Sequence, residues 1–396
     1  MNSPIEPDVL IIGGGVAGLW LLNHLRHQGY TCLLLEKKRL GHGQTLASQG
    51  IIHGGLKYAL SGSLSGESES IAAMPTRWRE ALDGKGSVDL SGLPLLSDTQ
   101  YLWSAGGMAS RMTAFFASKM LRGRIEAIER PHFPPALASP AFKGKVYRLE
   151  DLVIDTPALL QLLKDRAQGR VLAFDEQHDH LEWNSEGVAA AVVQGARIEP
   201  GVTVLCAGEG NGALLQQAHA QGLLQHEQMQ LRPLKMLVMK HPQATAFFGH
   251  CIGASNKPQL TVTSHPLADG TQVWNLGGDI AETGVGRGDG EQIAEGIKLL
   301  TRLFPWMSLD KAAFATLAIN RAEPKQQQLV KPDNAYARRD KKLVLAWPTK
   351  LTLAPDMADR VEALLDPPRS QLLHLPELKQ ATAGRPFWES CEWVAS

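Results

Sequence analysis

Gly13, Gly15 and Gly18 stand at G-x-G-x-x-G spacing directly after residues 8–12, a short run rich in Val, Leu and Ile. Such a run, bounded by polar residues and glycines, has the pattern of a strand buried on both faces of a parallel sheet. Each glycine then has its own task. Gly13 makes the tight turn, Gly15 admits a pyrophosphate close to the backbone, and Gly18 lets a helix pack on the strand. The next residues predict a helix over about 15–28, stopped by Gly29, with its positive N-terminal end directed at the diphosphate. A second apolar strand, residues 31–35, ends on Glu36, 18 residues past Gly18, close to where this unit sets a carboxylate on the adenosine ribose hydroxyls. The spacing alone is a weak signal. Strand, glycines, helix, strand and acid in this order define a dinucleotide-binding unit, and the residues leave open which dinucleotide it takes.

Composition excludes several classes. Lys+Arg and Asp+Glu are equal at 40 each, so no overall field draws the chain to nucleic acid or to an anionic membrane. At 396 residues, 44% of them hydrophobic, it is long enough for two interleaved domains. Cys32, Cys206, Cys251 and Cys391 are scattered, with no C-x-x-C pair. Cys32 and Cys206 lie in apolar strand-like runs and read as buried, reduced and inert, which suits a cytoplasmic protein. Residues 9–22 imitate a signal peptide, but Glu6 and Asp8 precede them and three consecutive glycines interrupt them. No other stretch reaches the roughly 18 apolar residues of a transmembrane helix. The histidines show no H-x-x-x-H or H-E-x-x-H pattern, so no metal site is expected, and G-x-S-x-G is absent.

Past Glu36, the glycine-rich residues 41–58 carry Thr45, Ser48 and His53 and are too polar for a core element; extended backbone here lets N–H groups approach a cofactor. Serine and glycine at 61–66 lead into a helix over 67–82, and 93–103 reads as a strand. Residues 108–122, from Met108 to Arg122, form an amphipathic helix with Met112, Phe115, Phe116 and Met120 along one side and Arg111, Lys119 and Arg122 along another. A stripe of this kind usually packs on a core; the alternative is a peripheral contact with the inner face of a membrane or a quinone-docking surface. Residues 131–140 are a proline-rich loop. Residues 149–163 predict a strand end and a helix with Thr156 as N-cap and Pro157 in its first turn. Strands over 170–174 and 202–207 and a hairpin over 181–193 follow. The second of those strands runs into Cys-Ala-Gly-Glu-Gly-Asn and a helix over 212–221, which implies that the chain returns to its first sheet. Residues 231–240, 259–264 and 272–277 predict an antiparallel sheet. A helix over 290–303, a final strand over 343–347 and a helix over 355–365 precede an aperiodic tail, 367–396.

Three segments resemble the FAD-dependent oxidoreductases of the D-amino-acid oxidase, glycerol-3-phosphate dehydrogenase and L-2-hydroxyglutarate oxidase superfamily. They are the N-terminal fingerprint with Glu36, residues 48–58 (Ser-Gln-Gly-Ile-Ile-His-Gly-Gly-Leu-Lys-Tyr), and residues 202–211, with Cys-Ala-Gly where relatives have Ala-Thr-Gly or Ala-Ala-Gly. Residues 346–355 also stand where the family's last loop and helix face the flavin. The resemblance implies an α/β fold: a Rossmann-like, glutathione-reductase-type FAD-binding domain interleaved with a smaller α+β substrate domain on an antiparallel sheet. The boundaries expected are 1–74, 151–222 and 320–366 for the FAD domain and 75–150 and 223–319 for the substrate domain. Asn-Arg-Ala-Glu-Pro around Arg321 departs from the family's Gly-x-Arg-Pro, and the length leaves no room for the extra C-terminal domain of many glycerol-3-phosphate enzymes, so the substrate does not carry over.

Carried onto this chain, the resemblance implies FAD contacts from Gly13, Gly15, Val16, Ala17, Gly18, Glu36, Lys37, Gln44, Thr45, Ser48, Gln49, Gly50, Ala207, Gly208, Thr349, Lys350 and Leu351. Such an enzyme moves a hydride from a C–H next to O or N of a small hydroxy acid, polyol phosphate or amino acid to flavin N5. Its electrons pass on to oxygen, a quinone or a carrier protein. His53 is the candidate base for an alcohol substrate; it is otherwise a residue that only hydrogen-bonds backbone or flavin, or a covalent flavin attachment point. Lys350 and Thr349 stand to stabilise negative charge at the flavin N1–C2=O, helped by the dipole of the helix that follows. Arg321 anchors a carboxylate or phosphate, or else forms a structural salt bridge with Glu323 or another acid. Lys57 and Tyr58 are further substrate contacts. Two other readings compete: a flavin monooxygenase reduced by NAD(P)H, and a non-catalytic flavin-binding subunit of a complex.

Overall fold

The computed structural model describes residues 3–55, 67–104, 125–252, 258–325, 334–369 and 373–396. The amphipathic segment 108–122 and the substrate candidates Lys57 and Tyr58 lie outside the described residues.

Strand Val9–Ile12 is apolar on both faces, so it can only be interior. It pairs in parallel with Cys32–Glu36 on one side and Val202–Leu205 on the other. Among the described residues the full sheet has six strands, in the order Tyr336–Asp340, Leu343–Trp347, Val202–Leu205, Val9–Ile12, Cys32–Glu36, Val171–Ala173. All pairs are parallel except the first. The chain therefore leaves this sheet after Glu36 and comes back to it at 171, 202 and 336. Helix Val16–His27 connects the first two strands and is buried nearly all round, from Val16 to Leu25. Helices Glu67–Leu82, Thr156–Arg166 and Ala354–Glu362 enclose it. Trp20 and Trp78 meet there with ring centroids 4.5 Å apart, and the Trp78 indole N–H donates to the Thr352 carbonyl at 3.0 Å.

The second sheet has nine strands and is antiparallel but for one pairing, Gly249–Ile252 with Gln100–Trp103. Its longest strands, Met229–His241 and Ala313–Pro324, pair over twelve positions. Period-two alternation divides its faces. Leu237, Met239, Leu260, Val262, Trp274, Leu276 and Phe314 turn to one side, under helix Asp289–Leu303. Val238, Val273 and Ala315 turn to the other, under Trp388 from the tail.

Several expectations are corrected. Residues 93–103 are two strands, Leu95–Ser97 and Gln100–Trp103, in different sheets, because Ser97 Oγ donates to the Thr99 carbonyl at 2.6 Å and turns the chain. The glycine-rich stretch does hold core elements: helix Gln44–Ala47, with Thr45, Leu46 and Ala47 buried, and strand Ile51–Ile52 on Leu152–Val153. The cap of helix Thr156–Arg166 is Asp155, not Thr156; its carboxylate accepts from the Ala158 N–H at 3.1 Å. Strand Ala313–Pro324 runs unbroken through position 320 and helix Glu67–Leu82 through position 74, so neither place is a break in the structure.

Strand 343–347 is not the last, and the tail is not loose. Its Lys379 carbonyl accepts from the Ala173 N–H at 2.9 Å and its Ala381 N–H donates to the Val171 carbonyl at 3.0 Å, which extends the edge of the parallel sheet. Trp388 then buries itself on the antiparallel sheet, and Val394–Ala395 pairs with Ala313–Phe314. The tail ties the two sheets together.

Candidate active site

Because five strands of the first sheet are parallel, their C-terminal ends fall on one edge, and the loops after Ile12, Glu36, Leu205 and Trp347 meet there. At Gly13 (φ +117°) a Cβ would lie 2.6 Å from the Ala207 Cα, so glycine alone lets the first loop touch the third. At Gly18 a Cβ would lie 2.0 Å from the Gly13 carbonyl oxygen, which is what sets the helix against the turn. The first intrahelical bond runs from the Leu19 N–H to the Gly15 carbonyl at 3.0 Å. The Ala17 and Gly18 amides ahead of it are the orphan donors of the helix start. Glu36 is held from both sides: Oε2 accepts from the Gly14 N–H at 2.6 Å and Oε1 from the Lys38 N–H at 2.7 Å. Beside it opens a cleft of about 490 Å³, lined among others by Lys37, Phe174, His178 and the tail residues Lys379 and Thr382. Lys37 itself points to Glu176 at 3.0 Å.

The segment 44–50 binds this edge to the second sheet. Thr45 Oγ1 accepts the Val16 N–H at 3.1 Å and so caps the first helix from a distance in sequence. Gln44 Oε1 accepts from the Ala322 N–H at 3.0 Å. Ser48 Oγ donates to the Thr45 carbonyl at 2.8 Å, inside its own turn. Gln49 reaches across, its amide donating to the carbonyls of Asn275 at 2.9 Å and Thr261 at 3.2 Å. Gly50 (φ +67°) passes so near strand Leu152–Ile154 that a Cβ would sit 2.2 Å from the Ile154 oxygen. Thus Gln44, Ser48 and Gln49 spend side-chain bonds on the protein.

His53 follows strand Ile51–Ile52, and its carbonyl accepts from Thr352 Oγ1 at 3.4 Å, which brings it to the loop of Lys350. Its ring Nδ1 accepts from the Gly55 N–H at 3.2 Å. That bond assigns the neutral ring's hydrogen to Nε2, so the ring offers a donor there and not the lone pair a base needs. In the Lys350 loop, Thr349 sits at φ +59°, with its hydroxyl on the Asn334 carbonyl at 3.1 Å. A turn of 3-10 helix, Leu351–Leu353, stands between it and helix Ala354–Glu362, which starts within one residue of the expected 355. Arg321 lies on the other sheet and pairs with another acid, Glu282, at 3.7 Å, while Glu323 takes Arg232 at 3.4 Å. The four sequence candidates therefore divide: His53, Thr349 and Lys350 gather on one wall, and Arg321 stands on another beside Gln44.

One structural residue escaped the sequence reading. Asn211 is fully buried and accepts the Ala207 N–H at 2.9 Å while donating to the carbonyls of Leu205 and Ala346. It ties together the ends of two parallel strands. An Asn closing Gly-Glu-Gly before a helix was the available signal. The cysteine reading stands for Cys32 and Cys206: both are buried, and burial pushes the Cys206 thiol up to about 12.

A parallel dinucleotide sheet whose loop edge faces a large antiparallel sheet defines a flavin-dependent class of oxidoreductase. The sequence profile described as DAO, FAD dependent oxidoreductase, matches residues 8–318. The Pseudomonas aeruginosa protein "Probable FAD-dependent oxidoreductase PA4991" is 47% identical over 393 residues, 98% of this chain and 99% of that one. Its crystal structure superposes with a TM-score of 0.84 at 42% identity, over 98% of this chain and 99% of that one. At 16% identity, L-α-glycerophosphate oxidase from Mycoplasma pneumoniae shares the fold, with a TM-score of 0.62 over 96% of this chain and 99% of that one. Glycine oxidase from Bacillus cereus shares it too, at 17% identity and a TM-score of 0.62, over 91% of this chain and 96% of that one. This chain belongs to the DAO family of FAD-dependent oxidoreductases, and FAD is its cofactor. Among the described residues, no helix is long and apolar enough to cross a membrane.

Proposed function

We propose that this enzyme oxidises a C–H next to O or N in a small hydroxy acid, polyol phosphate or amino acid, with FAD lying along the loop edge of the parallel sheet. The observation that carries this reading is the convergence of four parallel-strand ends on a helix start with orphan amides, against the loops of His53 and Lys350. The residues present fit the cofactor. Gly15 leaves the space where a Cβ would stand, the Ala17 and Gly18 amides suit a diphosphate, and Glu36 has lone pairs left for ribose hydroxyls. When bound, FAD supplies the hydride-accepting centre.

The chain's own groups do the rest. His53 hydrogen-bonds the substrate oxygen and orients it, and the proton released from the substrate's O–H or N–H as the hydride leaves passes to solvent water. Lys350 and the amides of Leu351 and Thr352 lower the cost of negative charge beside them. Arg321 is an anchor for an anionic end, shared with Glu282. Electrons leave to oxygen, a quinone or a carrier protein.

Anaerobic mixing of the holoenzyme with a panel of 2-hydroxy acids, polyol phosphates and amino acids tests the reading; bleaching of the flavin band by one class is expected. Bleaching by NADPH alone would favour a monooxygenase, and bleaching by nothing a binding subunit. His53→Ala is expected to keep its FAD and to be reduced at least tenfold more slowly, about 1.4 kcal/mol of barrier. Unchanged reduction kinetics would remove His53 from the mechanism.

A further inference from the structure

Four consecutive tail residues, 379–382, line the cleft of about 490 Å³ that opens beside Glu36. That volume lies within the range of ligand pockets, about 300–1,000 Å³. The ends of two parallel strands add Lys37, Lys38 and Phe174 to the same lining. Backbone pairing explains why the tail is there. Its Lys379 carbonyl and Ala381 N–H pair with Ala173 and Val171 on the edge strand of the parallel sheet. Further on, the Thr382 carbonyl accepts from the Leu40 N–H, and the Gly384 N–H donates to the Leu40 carbonyl, both at 2.9 Å. Leu40 follows shortly after Glu36, so the tail passes from one strand end to the next across the residues behind the carboxylate. At Gly384 a Cβ would lie 2.6 Å from the Leu40 carbonyl oxygen, so glycine alone permits this approach.

One side chain fastens the path. Gln194, at φ +52°, donates to the carbonyls of Ala173 at 3.0 Å and Lys379 at 3.1 Å, and its Oε1 accepts from the Lys379 N–H at 2.7 Å. Its own N–H donates to Oδ1 of the buried Asp179 at 2.7 Å. Nearer the start of the tail, Arg369 donates to the buried Asp8 at 2.7 Å. The tail is therefore held on both sides of the cleft it lines.

Glu36 is the group that meets the ribose hydroxyls of FAD, so the base beyond that ribose falls in this cleft. The tail offers what a purine needs. The stem of Lys379 is apolar and can lie along a flat ring. Gln380 donates its amide N–H to the Leu378 carbonyl at 3.1 Å, and its oxygen suits an exocyclic amine. We propose that the tail is a clamp on the adenosine end of FAD: Lys379 and Gln380 contact the adenine, and Gln194 is the positioning residue that holds them at the cleft. The assignment rests on the placement of FAD along the loop edge and goes beyond it, since retention of the cofactor then depends on a segment at the far end of the chain.

The test follows release of FAD from the holoenzyme on dilution, read as the rise in flavin fluorescence. Lys379→Ala/Gln380→Ala is expected to release FAD about tenfold faster, with the thermal midpoint of the flavin-stripped protein unchanged. Gln194→Ala, which loosens the tail, is expected to release it about threefold faster. Reloading with FMN, which has no adenosine, is expected to be equal in wild type and both variants. Unchanged FAD release in the double variant overturns the proposal. So does an equal loss of FAD and FMN, which would make the tail a support of the fold alone. Glu36→Gln separates the two readings. Faster release there, with unchanged release in the tail variants, sinks the clamp and keeps the cofactor placement; no change in any of them sinks both.

Discussion

At the loop edge of the parallel sheet, the amides of Gly14, Val16 and Ala207 each end on a side chain: Glu36, Thr45 and Asn211. On one face of the antiparallel sheet, Gln100, Thr263 and Asn275 have no hydrogen-bond partner among the described residues. In the first region the loops are tied to one another within the chain, and only the Ala17 and Gly18 amides of the helix start are left over. Its loops are held in place before any ligand arrives, so binding there need not bear the ordering of a loop. The second keeps polar groups buried and unpaired, at a cost in stability.

The most direct way to break this contrast is to spoil the side whose loops are tied. Gly13→Ala puts a methyl 2.6 Å from the Ala207 backbone at a φ of +117°. Purified protein is expected to lose its yellow colour altogether, read as the flavin-to-protein absorbance ratio. Trp78→Ala hollows the helix layer behind the same edge, where Trp78 is 0% exposed. A loss of about 3–5 kcal/mol is expected by chemical denaturation.

The next two changes sharpen the contrast. Burial pushes His265 on the antiparallel sheet down to about 4 from 6.5. Between those two pH values the unfolded chain takes up a proton that the folded chain refuses, so stability falls as pH drops through the window. The full change approaches about 3 kcal/mol. In His265→Gln this part of the pH dependence is expected to vanish, seen as a wild-type-minus-variant difference that moves only between pH 6.5 and about 4. Glu36→Gln removes a charge but not the shape. FAD affinity is expected to fall about 10- to 100-fold, or about 1.5–3 kcal/mol, by equilibrium titration of the apoprotein.

The nucleotide half was legible in the amino-acid string because its constraints are local. Glycines 13, 15 and 18, a helix pattern and Glu36 lie within one strand–helix–strand unit, and helix Glu67–Leu82 has the bounds its periodicity predicts. Asp155 was misread because Thr156 beside it is also a capping type, and only the bond to Ala158 separates them. That Arg321 could pair with Glu323 or another acid was readable from the string, but which acid was not, because Glu282 comes from another element.

The sequence by itself determined that a dinucleotide-binding unit opens the chain, that the chain returns to one parallel sheet, and that an antiparallel sheet adjoins it. Each of these follows from periodicity and glycine placement, which act over a few residues. Only the tertiary structure decided that an aperiodic tail ties the two sheets, that Gln49 crosses between them, and that Gln100, Thr263 and Asn275 share one unpaired row. Those depend on strand order and register between segments far apart in the chain, where a shift of one residue would turn every side chain to the opposite face.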